Sequence, residues 1–143
     1  SEFDAYKDRE YDWLMNDVLP KQEWKKFRYN MVACHIPLIR ADNDLTVTHF
    51  CKECNKSHGY KLPEFAQALN ETIKPQLMVS AHTHQAQVVR DPSLSFPNLQ
   101  TGGHLGRTKF YHTSLVRFVN GTISYTIYDS TGKKTTCPIV PSK

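Results

Sequence analysis

The chain has 143 residues, 39% of them hydrophobic and 22% charged, with 18 Lys and Arg against 14 Asp and Glu, for a formal net charge of +4. Chains near this length bury roughly 70% of their unfolded surface, which predicts a single domain over residues 1–143 with a real core. No apolar run approaches the roughly 20 residues needed to cross a bilayer, and the lysines cluster locally in "KQEWKKFR" and "GKK", so neither membrane insertion nor nucleic-acid binding is indicated.

"SEFDAYKDRE" carries neither an initiator Met nor a secretion signal, and the natural beginning is expected to lie upstream; localisation is left open. Residues 4–19 place Tyr11, Leu14, Met15 and Val18 on one helical stripe, with Asp4 as cap and Pro20 as stop. The near-continuous apolar run from Tyr29 to Cys34 predicts a strand buried on both faces, ending at His35 before Pro37. Residues 41–60, "ADNDLTVTHFCKECNKSHGY", are polar and aperiodic and read as a functional loop or excursion.

Pro63 then opens a helix with Phe65, Leu69 and Ile73 spaced by four, Pro75 follows it, and "QLMVSA" is the next strand. Strand, helix, strand is a βαβ unit whose parallel strands end on one edge, so His35 approaches His82 and His84. Further on, "TSLVRFVNGTISYTIYDSTGKK" is two alternating segments joined by Asn120-Gly121, the signature of a tight hairpin. A third antiparallel strand is expected near residues 135–140, after a Thr131-Gly132 turn.

In extended backbone, His82 and His84 point to one face about 6.5 Å apart, which suits convergence on one metal ion or bracketing of two. An H-x-H pair by itself is equally the mark of an exposed polar loop, and His35 at the end of a parallel neighbour is what strengthens the metal reading. A second cluster, "HFCKECNKSHG", offers His49, Cys51, Cys54 and His58 as four candidate ligands for a structural zinc, against the alternative of free thiols in an ordinary loop. In "TGGHLGRTK", Gly102, Gly103, His104 and Arg107 are candidate phosphate contacts, or else a plain turn between strands. Asn70-Glu71-Thr72 and Asn120-Gly121-Thr122 also match the glycosylation acceptor pattern.

Together, "YDWL", "CHIPL", "AHTH" and "TGGHLG" followed by a hairpin resemble, in order and over residues 8–128, the C-terminal half of the calcineurin-like metallophosphoesterases. The resemblance implies an α/β fold forming part of a four-layer α-β-β-α sandwich. It also implies hydrolysis of phosphate esters by metal-activated hydroxide, with two divalent or trivalent ions drawn from Mn, Fe, Zn or Ni. His35 and His82 would hold one ion and His84 the other. The family's usual glycine before the histidine pair is Ala81 here, and D-x-H, G-D-x-x-D and G-N-H-[DE], which supply its carboxylates and remaining ligands, do not occur in the chain. The expectation is therefore that the chain is a C-terminal fragment, inactive alone, that pairs as a homodimer or with a complementing N-terminal fragment. The competing reading is a non-enzymatic zinc-stabilised binding or assembly module.

Overall fold

The computed structural model describes residues 2–39, 61–82, 86–101, 112–136 and 140–141. Among them are two α-helices, α1 (Glu2–Trp13) and α2 (Leu62–Glu71), and eight strands. The strands are β1 (Met31–Cys34), β2 (Leu77–Ser80), β3 (Gln87–Val89), β4 (Asn98–Gln100), β5 (His112–Val119), β6 (Thr122–Asp129), β7 (Lys134–Thr136) and β8 (Val140–Pro141).

The expected βαβ unit is present: β1 and β2 pair in parallel, with Met31 opposite Leu77 and Cys34 opposite Ser80. A buried glutamine pins this register where the strands begin. Gln76 donates its amide to the Asn30 carbonyl at 2.9 Å, and its side-chain oxygen accepts from the Asn30 amide at 2.6 Å. β4 adds in parallel beside β2, and β3 closes the far side in antiparallel, giving the order β1-β2-β4-β3. The β3–β4 connection is set by Asp91, whose side chain accepts from the Ser93 amide at 2.8 Å in an Asx turn.

This order corrects one sequence expectation. β1 lies at the edge of its sheet and alternates exposed and half-buried residues, with Met31 48% exposed, so the apolar run over 29–34 is not a strand buried on both faces.

The remaining strands form a second sheet. The hairpin expected at Asn120-Gly121 joins β5 to β6, and both turn residues take positive φ, 47° and 85°, as a two-residue type I′ connection requires. Of the third strand expected over 135–140, the described residues show β7 and β8, both paired with β6. At the following turn, Gly132 has φ 82°, and Asp129 accepts the amides of Thr131 and Lys133.

Side chains alternate across β2, and this builds two cores. Leu77 and Leu99 face the second sheet and meet Ile123, Tyr125 and Ile127, while Met78 faces Leu14, Leu62, Ala66 and Leu69 on the helical side. The described residues thus form helices, a mixed sheet and an antiparallel sheet, stacked in that order. No helix among them is long and apolar enough to cross a membrane.

The first helix departs from its expected bounds. It begins at Glu2, two residues before the expected Asp4 cap, and after Trp13 its winding opens into a π-helical turn over Leu14–Val18 before a 3₁₀ turn at Leu19–Lys21. The wider turn breaks the 3.6-residue stripe: Leu14 is buried and Tyr11 and Val18 pack against the core, but Met15 is 38% exposed. α2 follows its pattern more closely, with Pro63 in its first turn and Leu62, Ala66 and Leu69 buried. Asn70, in the first glycosylation pattern, instead binds the 93–95 loop, donating to the Ser93 carbonyl and accepting from the Ser95 amide.

The excursion expected over 41–60 lies outside the described residues. We predict that Leu99→Ala, at a fully buried position between the sheets, lowers unfolding free energy by about 2–5 kcal/mol. Leu115→Ala, at an exposed position on β5, should change it by less than about 0.5 kcal/mol, both read from urea denaturation.

Candidate metal centre

The ladder between β1 and β2 continues past the strands, because the Ala81 amide donates to the His35 carbonyl at 3.1 Å. That bond carries His35 and His82 to the same edge of the sheet. There His35 Nε2 and His82 Nδ1 lie 3.0 Å apart, with the two rings nearly perpendicular and their centroids 4.9 Å apart. Residues 47 apart in sequence meet as the parallel-strand argument anticipates.

The backbone that achieves this is not extended. β2 ends at Ser80 and His82 takes φ 62°, in the left-handed region, so the strand-like alternation expected for residues 82–84 fails at its first histidine. Left-handed backbone costs a non-glycine residue about 1–2 kcal/mol, and such strain collects where a side chain has to be aimed. Here the turn directs the imidazole back across the sheet edge towards His35.

Two ring nitrogens at this separation can share a proton, the tautomers deciding which ring donates, or they can face a common cation. Tetrahedral zinc with Zn–N bonds near 2.0–2.1 Å sets its ligand nitrogens about 3.3 Å apart, so the observed 3.0 Å is within a few tenths of an ångström of that requirement. Among the described residues no group of three or more His, Cys, Asp or Glu side chains is arranged to hold a metal. The donor set among the described residues is therefore His35 and His82, whose separation is compatible with two ligands of one ion. His84, the zinc candidates His49, Cys51, Cys54 and His58, and the phosphate candidates Gly102, Gly103, His104 and Arg107 lie outside the described residues.

Cys34, adjacent to His35, is half-buried and held as a thiol. Burial pushes its thiol from an ordinary 9.0 up to about 12, with Glu10 adding in the same direction, and its Sγ donates to the Ile36 carbonyl at 2.8 Å.

A row of polar residues that no sequence motif marks lies beneath this edge. Ser80 donates to Asn98 Oδ1 at 2.9 Å, Gln87 donates to Gln100 Oε1 at 2.8 Å, and Gln100 donates to the Ile39 carbonyl at 3.0 Å. The last bond ties the chain leaving His35 to β4, and Asn98 and Gln100 are essentially fully buried. Their signal was weak because β4 has only three residues, two of them amides.

The chain matches no model of a known protein family, and no curated protein matches its sequence.

Cys34 should resist iodoacetamide at pH 8 in the native protein and label on unfolding, as located by peptide mass spectrometry. Because folding raises this thiol's pKa, its contribution to stability is intact below pH 9.0 and falls as pH rises towards about 12. At the strained turn, His82→Gly should hold or slightly raise the denaturation midpoint, whereas His82→Val should lower stability by about 1–2 kcal/mol. Both variants lack the imidazole, so the loss of the His35 contact cancels in the difference between them.

Proposed function

We propose that the chain is the C-terminal part of a dinuclear metal-dependent phosphoesterase, in the manner of the calcineurin-like sandwich. The observation that carries this reading is the 3.0 Å approach of His35 Nε2 to His82 Nδ1 at the C-terminal edge of two parallel strands. It is supported by the mixed sheet stacked on an antiparallel hairpin sheet, an arrangement compatible with part of a four-layer α-β-β-α sandwich.

In this reading His35 and His82 hold one ion and His84 contributes to the second. The ions, when bound, supply Lewis acidity towards the phosphoryl oxygen and a nucleophile from water at neutral pH. The chain's own part is to orient. The β1–β2 ladder fixes the spacing of the two histidines, the left-handed turn aims His82, and the Gln100 bond to Ile39 steadies the segment after His35. The carboxylates that bridge and neutralise two ions in the family have no counterpart motif in this sequence. The 143-residue chain alone is accordingly inactive, and activity belongs to its assembly with a segment that supplies those groups.

The test is zinc titration by calorimetry on the whole chain. His35→Ala and His82→Ala should each weaken one zinc site by more than the roughly hundredfold that loss of an outer-shell partner costs, and the double change Cys51→Ser with Cys54→Ser should leave that site in place. Removal of all bound zinc by the cysteine changes would overturn the phosphoesterase reading in favour of a zinc-stabilised binding module. Chelator-sensitive hydrolysis of 4-nitrophenyl phosphate by the isolated chain would overturn its assignment as inactive alone.

A further inference from the structure

α1 buries little of its own apolar surface. Lys7 is its one buried residue, while Phe3, Tyr6 and Trp13 are 39%, 50% and 59% exposed. These three aromatics recur at intervals of three and seven residues and so lie along one stripe of the helix. Single exposed apolar residues are ordinary on a surface, but a stripe of large rings that folding leaves open is informative.

The stripe lines a groove of about 590 Å³, a volume typical of small-molecule sites. Phe65 from α2 completes an aromatic wall, and His35 and His82 stand in the lining of the same groove. Lys7 and Glu10 add one charge of each sign to the helix side, so the lining is nearly neutral in sum, with the four aromatic rings forming one wall and aliphatic side chains such as Leu62, Leu69 and Met78 the floor.

We propose that this groove is the subsite for an aromatic ring system esterified to the phosphate whose phosphoryl end sits at His35 and His82. The inference rests on the phosphoesterase reading and deepens it by naming the substrate class, an aryl phosphate ester. Aromatic walls favour a planar ring through edge-to-face and offset contacts, over and above the apolar area that any ligand would bury. The groove and the histidine pair are continuous, so one molecule can occupy both. A phosphate held at the edge places its ester substituent against α1, where Tyr6 and Trp13 already present their rings.

The probes are phenylphosphonate, butylphosphonate and methylphosphonate, which share an anionic head and resist hydrolysis, titrated by calorimetry into the zinc-loaded 143-residue chain. Phenylphosphonate should bind at least about tenfold more tightly than methylphosphonate, the scale set by a few extra apolar carbons in a fitted pocket. In the double variant Phe3→Ala with Tyr6→Ala, that preference should fall below about threefold, with zinc and methylphosphonate affinities unchanged. Since both side chains are substantially exposed, folding of the variant is not at issue, and its retained zinc stoichiometry verifies this.

Equal binding of phenyl and methyl probes with zinc held overturns the groove assignment and leaves the phosphoesterase reading standing. Butylphosphonate matching phenylphosphonate overturns the aromatic assignment in favour of an aliphatic ester. Survival of the phenyl preference in the double variant also overturns the assignment to this groove. A phenyl preference that persists in a chain whose zinc does not depend on His35 or His82 overturns the metal reading alone.

Discussion

Two four-residue strands, β1 and β2, hold the histidines in place, and their parallel register is the constraint on which the molecule depends. Met31 opposite Leu77 and Cys34 opposite Ser80 put His35 level with Ala81, one residue short of His82. A slip by one residue would reverse the faces of β2, sending Met78 into the inter-sheet core and Leu77 towards the helices. Both cores oppose that slip. Gln76, bonded through backbone and side chain to Asn30, opposes it at the other end of the strands. Few residues carry the pairing itself, so its precision derives from what packs above and below it.

The parts that were legible in the sequence are those where one local signal sufficed. Asn120-Gly121 between alternating segments specifies a hairpin because few other dipeptides accept positive φ twice. The βαβ unit is visible in the spacing of Phe65 and Leu69, bounded by Pro63 and Pro75, before "QLMVSA". From parallel strands it is a short physical step to His35 meeting His82.

Other parts were hidden for reasons that can be named. β3 and β4 have three residues each, and two of the three in β4 are the buried amides Asn98 and Gln100, so no apolar periodicity marks them. The run from Tyr29 to Cys34 reads as a strand covered on both faces because composition does not reveal which strand lies at a sheet's edge. The stripe of the first helix shifts at Leu14 because a π turn is not written in side-chain spacing. At the site, the left-handed backbone of His82 was not legible, since a histidine does not announce positive φ as a glycine does.

One bond joins distant parts of this design. The Gly121 amide, at the tip of the hairpin, donates at 2.7 Å to the hydroxyl of Tyr29, which lies just before β1, and the Tyr29 and Phe118 rings pack at 5.1 Å. The hairpin closes over a two-residue loop, whereas this latch joins residues 92 apart. Closing a long loop costs entropy that grows with the logarithm of its length, and nothing repays it until the intervening chain is in place. The latch is therefore a signature of completed assembly: it unites the first strand's entry with the last sheet's tip when both cores between them have formed.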